Sequence, residues 1–338
     1  MKFSCDKYVL QQAAASAARA AAAKSPIPTL EGLLIEAGAS VRITGYDLKK
    51  AIYTTIDADI PEPGSVLIGA RLFCEMLRRM PDGIVTVEAE NGTVSVKCGK
   101  AAFNLVGLSA DDYPDLPTVE AENGVSLPQD LLKKMINECS FAVSTNESRP
   151  VYMGTLFEIE NNVLTMVSVD GYRLALRREA VEGYGDDCSF IVPVGNTVIL
   201  SRRLEGDFLN YKKAIPESFR VTVKTARTDL LEVVERVSLI IDSKNNAPLR
   251  LTFRKDAIDF VCTTPLGKAA DSCPCEGDGG DLEIGFNDHY LSDALKAAPA
   301  EEINVCLNTG SSPCILVPAD GSDNFVYMVL PVRLRAGQ

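Results

Sequence analysis

No uninterrupted run of 18 or more apolar residues occurs in this 338-residue chain, so a membrane-spanning helix is not expected. Histidine, the commonest general base and metal ligand, is represented once, by His289 beside Asp288, which reads as a surface residue of a helix. Neither a GxxxxGK[ST] phosphate loop nor a GxGxxG run is present, and no pair of carboxylates stands out as acid and base. Cys273-Pro274-Cys275 has neither the CxxC spacing nor a partner histidine that zinc requires. Catalysis, metal and cofactor are therefore not expected. The other cysteines are scattered singly among the ten, which fits reduced thiols in a cytoplasmic protein better than a disulfide framework. The alanine-rich stretch Ala13 to Ala23 is interrupted by Arg19 and follows Asp6 and Lys7, so it reads as a soluble helix and not a signal peptide.

With 34 Lys and Arg against 46 Asp and Glu, the net charge is −12, which at first argues against a nucleic-acid partner. The total says nothing about distribution. A basic inner surface under an acidic outer one gives the same balance and discourages indiscriminate sticking to DNA. The length points to two or three domains.

The chain repeats itself. An amphipathic helix, a polar or Pro-containing loop and a strand hairpin recur three times. The helices are Asp6 to Ala23, Pro128 to Val143 and Ala226 to Ile241. The loops are Lys24-Ser25-Pro26-Ile27-Pro28, the surroundings of Arg149-Pro150, and Asn245-Asn246-Ala247-Pro248. The strands that follow are Leu33 to Glu36, Thr155 to Ile159 and Leu249 to Phe253. Apolar residues fall at helical spacing, as in Leu132, Met135, Ile136 and Cys139, and in Leu230, Val233, Val234 and Val237. A second half follows in the first and third copies. A helix, Gly69 to Met80 or Asn287 to Ala298, leads into a hairpin turned at Asn91-Gly92 or Thr309-Gly310. The implied fold class is α+β, with three similar domains at 1–124, 125–217 and 218–338, each two helices packed on antiparallel sheet.

The second copy is short. Gly45 and Gly99 lie 54 positions apart, whereas Gly171 and Gly195 lie 24 apart, a difference of 30 that equals about one helix and one hairpin. The join falls near Pro193-Val194-Gly195, and the expectation is that residues are missing from the chain there.

Three stretches carry a resemblance. They are Val169-Asp170-Gly171-Tyr172-Arg173-Leu174, Gly206-Asp207-Phe208-Leu209-Asn210-Tyr211, and the ending Tyr327-Met328-Val329-Leu330-Pro331-Val332-Arg333-Leu334. In that order they resemble the Thr-Asp-Gly-His-Arg-Leu, Gly-Arg-Phe-Pro-Asp-Tyr and Met-Pro-Met-Arg-Leu patterns of the bacterial DNA sliding clamps, and the resemblance covers nearly the whole chain. It implies the DNA clamp fold in a head-to-tail homodimeric ring, with helices around a central hole, that encircles duplex DNA without sequence preference. The implied partners are the replicative polymerase α subunit, the clamp loader and other proteins bearing a clamp-binding motif.

The resemblance places a peptide groove between the second and third domains. Tyr152, Val169, Gly171, Tyr172, Arg173 and Leu174 line one side, and Leu209, Lys213 and Ala214 lie at the junction. Met328, Val329, Leu330, Pro331, Val332, Arg333 and Leu334 come from the terminal strand. Apolar side chains and Met suit a short hydrophobic peptide, Pro331 is expected to keep backbone groups free, and Arg173 and Arg333 to orient the ligand. Tyr172 and Leu209 depart from the usual His and Pro. Phosphate contacts are expected from Arg19, Lys24, Arg78, Arg79, Lys133, Lys134, Arg149, Arg227 and Lys296, with Lys24 and Arg149 in equivalent loops. The dimer seam would set Phe103 and Leu105 of one chain against Leu239 and Ile240 of the other. Two other readings stand beside this one: a clamp-like scaffold or inhibitor that does not encircle DNA, and a repeat-built α+β enzyme.

Overall fold

Strand β1 (Lys2–Asp6) ends on a residue that starts a helix: the Asp6 carboxylate accepts hydrogen bonds from the backbone N–H groups of Tyr8 and Val9 and caps α1 (Lys7–Ala17). The structure is a computed structural model that describes residues 1–116, 126–181, 191–194, 197–201, 207–241 and 247–334, so Asn245, Asn246, Gly195 and Gly206 lie outside the described residues. The helix expected as far as Ala23 stops six residues earlier. The N–H groups of Arg19 and Ala20 reach back only three residues, to Ser16 and Ala17, and the N–H of Ala22 goes to the carbonyl of Leu30. A single turn, Pro28–Glu31, then leads into β2 (Gly32–Ala37), β3 (Val41–Tyr46), β4 (Lys50–Ile56), β5 (Asp59–Glu62) and β6 (Gly64–Gly69). Helix α2 (Ala70–Arg79) and strands β7 (Ile84–Glu90), β8 (Thr93–Cys98) and β9 (Ala101–Val106) complete the first copy. The β7–β8 turn has positive φ at Asn91 and Gly92, as its sequence requires.

Both helices bury one face against sheet. Leu10, Ala13, Ala14 and Ala17 of α1 and Phe73, Met76 and Leu77 of α2 share a core with Ile35, Ile43, Val66, Val85, Val87, Val94 and Val96. The alanines let α1 sit close on β3, so close that a Cβ built at Gly45 would stand 2.0 Å from the Ala17 carbonyl oxygen. In the order β5-β1-β7-β8-β9, β9 is an edge strand. Its outer surface is apolar, with Phe103 43% and Val106 80% exposed.

The second copy provides α3 (Gln129–Ser140), the turn Pro150–Met153, β10 (Leu156–Glu160), β11 (Val163–Val169) and β12 (Arg173–Ala180). A hairpin follows, β13 (Ile191–Val194) and β14 (Thr197–Ser201), and β14 pairs with β4. By contacts the chain divides into two compact units, Met1–Gly124 with Asp187–Arg203, and Val125–Asp186 with Leu204–Gln338. The short helix α4 (Tyr211–Ala214) precedes β15 (Val221–Ala226), α5 (Arg227–Val237) and the turn Ser238–Ile240. Then come the long strands β16 (Leu249–Thr264) and β17 (Gly267–Phe286), α6 (Asp288–Ala297), β18 (Glu302–Leu307), β19 (Cys314–Pro318) and β20 (Phe325–Val329). Among the described residues five helices have ten or more residues, two each in the first and third copies and one in the second.

In the second unit one sheet runs β10-β11-β12-β20-β19-β18-β15-β17-β16, so β12 of the second copy pairs with β20 of the third. Arg177, buried on β12, ties this seam to α3. Its Nε donates to Glu138 at 2.5 Å, Nη1 to the carbonyls of Arg178 and Asn324, and Nη2 to Glu179.

Gly45→Ala should cost about 1–3 kcal/mol through overpacking against α1. Gly38→Ala, where an added Cβ meets nothing within 4 Å, should leave the thermal midpoint nearly unchanged. Equal midpoints for the two variants would contradict the close approach of α1 to β3.

Candidate functional site

The apolar floor beneath the β12–β20 seam is built by strand register. Leu174 pairs with Met328 and Arg173 with Val329, so side chains from both copies share one face. Val167, Val169, Leu174, Leu176, Tyr211, Ile315 and Met328 are buried in one cluster. Tyr152, Phe208, Ala214, Ile215 and Leu330 pack against it half-exposed. The Tyr152 ring meets Phe208 edge-on at 5.8 Å, and the Arg149 guanidinium lies 5.9 Å above the Tyr152 ring. Tyr211 is anchored from below by donating its hydroxyl to Glu158; burial first, then that bond, push its phenol up to about 12. Asn210 caps this turn by accepting from the N–H of Lys213.

The expected groove residues thus fall into tiers. Val169, Leu174 and Met328 form the floor, while Val329, paired with Arg173, is buried on the opposite face of the sheet; Tyr152, Ala214, Leu330, Pro331 and Leu334 are half-buried; Gly171, Tyr172, Leu209, Lys213, Val332 and Arg333 are exposed. Phe208, Tyr211 and Ile315 belong to the same cluster but were not singled out as site residues, although Phe208 and Tyr211 stand inside one of the stretches that carried the resemblance. Ile315 has no local signal, because only the β19–β20 pairing brings it there.

Two roles differ from expectation. Arg173 is expected to orient a ligand and is also engaged within the fold: its Nε donates to Asp170 at 2.9 Å and Nη1 to Asp293 of α6 at 2.6 Å. Its guanidinium also lies 4.7 Å above the Tyr290 ring and 5.5 Å above that of Phe141. The Asp170 carboxylate accepts from the N–H groups of Tyr172 and Arg173 as well, and Tyr172 stacks on Tyr290 at 5.5 Å between ring centroids. The turn is therefore locked onto α6. Nor does Pro331 leave its neighbours free, since the N–H of Leu330 donates to the Tyr172 carbonyl and that of Val332 to the Gly285 carbonyl. Gly285 is needed there, because a Cβ would stand 2.9 Å from the Val332 carbonyl oxygen.

The basic candidates also divide. Arg19, Lys24, Arg78, Arg79, Lys133 and Arg149 are exposed, with no carboxylate in ion-pair range among the described residues. Lys134 pairs with Glu138 at 3.9 Å and Lys296 with Glu235 at 2.9 Å. Arg227 is committed to the fold, donating Nε to the Ala300 carbonyl and Nη1 to that of Leu295. Lys133, Lys134 and Lys296 line a cleft of about 410 Å³ with Asp130, Asn137 and Glu138, where α3 and α6 come together. Leu239 is 82% exposed and Ile240 half-buried, in the turn beside the edge strand β16; Leu105 is half-buried on β9. His289 is exposed and Cys273 and Cys275 are buried on β17. No helix among the described residues is long and apolar enough to cross a membrane.

Three family models match in order along the chain. The N-terminal domain of the DNA polymerase III beta subunit matches residues 1–117, the central domain 126–228 and the C-terminal domain 212–333. The beta sliding clamp of Synechocystis is 30% identical, covering 99% of this chain and 100% of the relative; that of Bacillus subtilis is 29% identical, covering 98% and 100%. These alignments run over 395 and 377 positions against 338 residues here, so the relatives carry residues that this chain lacks. Among solved structures, the Bacillus subtilis sliding clamp matches with a TM-score of 0.93 at 28% identity, covering 99% of this chain and 100% of that one. The beta subunit from Streptococcus pyogenes matches with 0.92 at 26%, with the same coverage. The chain belongs to the family of bacterial DNA polymerase III beta subunits, the beta sliding clamps, which are processivity factors of the polymerase.

Proposed function

We propose that the chain acts as a head-to-tail homodimeric ring of three repeats per copy, read as 1–124, 125–217 and 218–338. The ring encircles duplex DNA, slides on it, and tethers the replicative polymerase, the clamp loader and other proteins through short hydrophobic peptides, without catalysis and in the cytoplasm. The observation that carries this reading is the apolar cluster from Val169 and Leu174 to Met328, open along the rim of Tyr172, Leu209 and Val332, in a member of this family. Val169 and Leu174 make the floor for the peptide, Tyr152 and Phe208 its aromatic wall, and Arg173 holds the shape of the groove by fixing the Asp170 turn to α6. The seam sets the edge strand β9, with Phe103 and Leu105, against Leu239 and Ile240 of the other copy, which covers an otherwise unpaired edge. Contact with DNA rests on phosphates and on the exposed cations Arg19, Lys24, Arg78, Arg79, Lys133 and Arg149. Arg227 is set apart from these because its Nε and Nη1 bond the carbonyls of Ala300 and Leu295.

A peptide of the form Gln-x-x-Leu-Phe should bind with micromolar affinity, on the order of −7 to −8 kcal/mol. Leu174→Lys or deletion of Met328 to Leu334 should abolish binding. Arg173→Lys, which keeps the charge but not the two-sided contact with Asp170 and Asp293, should weaken it about tenfold. Unchanged calorimetric titrations for all three would move the site elsewhere. Light scattering should give a dimer of 36.4 kDa chains, and Leu105→Asp should give monomers. A stable wild-type monomer at micromolar concentration contradicts the ring.

Encirclement separates this reading from a scaffold that never surrounds DNA. Rings loaded on closed circular DNA should survive high salt and be lost on linearisation, whereas binding to short linear duplex should be weak and fall steeply with salt. Lys24→Glu with Arg149→Glu should impair short-duplex binding and spare both the dimer and peptide binding. Loaded rings that wash off circles at moderate salt would favour the scaffold.

A further inference from the structure

Strand β12 lies between the groove and two helices, and its alternate residues reach both. Leu174 and Leu176 belong to the apolar cluster of the groove floor. Arg173 and Arg177, on the opposite face, each hold one helix. Arg173 Nη1 donates to Asp293 of α6 at 2.6 Å, and Arg177 Nε donates to Glu138 of α3 at 2.5 Å. Those helices are the walls of the cleft of about 410 Å³ that Lys133, Lys134 and Glu138 line from α3 and Lys296 from α6. One strand is thus floor to the groove and anchor to both walls of the cleft.

The two meet at Glu138, which is 6% exposed and whose carboxylate oxygens serve different partners. Its Oε2 accepts from Arg177, buried on β12, while its Oε1 lies 3.9 Å from the Nζ of Lys134 in the cleft. The Lys134 contact is at the limit of an ion pair, and the pair between Lys296 and Glu235 is about half exposed on both sides. An anion in the cleft can therefore draw both lysines at little cost.

We propose that Glu138 is a positioning residue that couples a phosphate in this cleft to peptide binding in the groove. A phosphate that takes Lys134 leaves the Glu138 charge to Arg177 alone, and by engaging Lys296 as well it holds α3 to α6. Both arginine ties then tighten, and β12 is fixed on either side of Leu174 and Leu176 before a peptide arrives. Order already imposed by one ligand need not be imposed again by the second, so the coupling is favourable. It is also reciprocal: duplex tightens peptide binding, and peptide tightens duplex binding by the same factor. This rests on the DNA contact and the groove proposed above. It adds that a ring on DNA holds its partners more firmly than a free ring.

The test uses the full chain and a labelled Gln-x-x-Leu-Phe peptide, titrated by fluorescence anisotropy with and without saturating short duplex at low salt. Duplex should lower the peptide dissociation constant about fivefold or more, and should slow amide exchange along Leu174 to Arg177. Glu138→Gln keeps an acceptor for Arg177 but no charge to share with Lys134, so the factor should fall to near one, whatever happens to peptide affinity alone. Lys134→Gln leaves the Arg177 tie in place and should lower the factor in the same way. Lys24→Glu, which does not line the cleft, should weaken duplex binding and keep the factor at saturation. Equal peptide affinity with and without duplex in the wild type, or an undiminished factor in both cleft variants, would overturn the coupling. Peptide that binds under neither condition would overturn the groove reading, and duplex that fails to bind at low salt the DNA contact, each taking the coupling with it.

Discussion

The ladder between β12 and β20 is the constraint on which the second unit depends. Antiparallel pairing fixes register, and register fixes which side chains reach which face, so a single residue of slip would carry Leu174 and Met328 out of the apolar cluster. Two lateral ties hold that register. Arg177 joins β12 to Glu138 of α3 and to the Asn324 carbonyl just before β20, and Arg173 joins the start of β12 to Asp293 of α6. Arg177 is buried but bonded through all three guanidinium nitrogens, which makes the arrangement tolerable; removing Glu138 would leave Nε unpaired, with Glu179 still compensating the charge. The groove follows from this rigidity, since it is the surface left where two tightly registered copies meet and not a flexible loop.

How much of this was legible in the sequence depends on the range of the interactions. The five long helices were readable because apolar spacing is local, and two of them start at caps that are equally local, since Asp6 and Asn287 stand next to the N–H groups they bind. The Asn91-Gly92 turn was readable for the same reason. What failed was whatever tertiary contacts decide. Ala18 to Ala23 has high helix propensity, but the Ala22 N–H finds the Leu30 carbonyl instead. Likewise β16 and β17 run far longer than the segment Leu249 to Phe253 suggested, because they pair with each other through the bulge at Lys255.

The candidate site shows the same division. Its floor was readable from the apolar residues of two stretches, but the assignment of Arg173 as a ligand contact missed partners 120 residues away in sequence, Asp293 in particular. A cation beside an apolar groove looks available until its carboxylates are located. Arg227 shows the same thing: it stands at the start of a helix, and in space its Nε and Nη1 bond the carbonyls of Ala300 and of Leu295 in α6. The net charge of −12 was the least informative number, because it averages over faces. Six of the nine proposed cations remain exposed and free of ion pairs among the described residues, so an acidic total and a basic lining are compatible in one molecule.

The Asp170 turn rests on α6 through the Arg173–Asp293 ion pair and the Tyr172–Tyr290 stack, so the second and third repeats are joined by side chains as well as by the β12–β20 ladder. The second repeat has only one long helix among the described residues, and the hairpin β13–β14 that follows it pairs into the sheet of the first unit through β4. That pairing covers a sheet edge that would otherwise lie open.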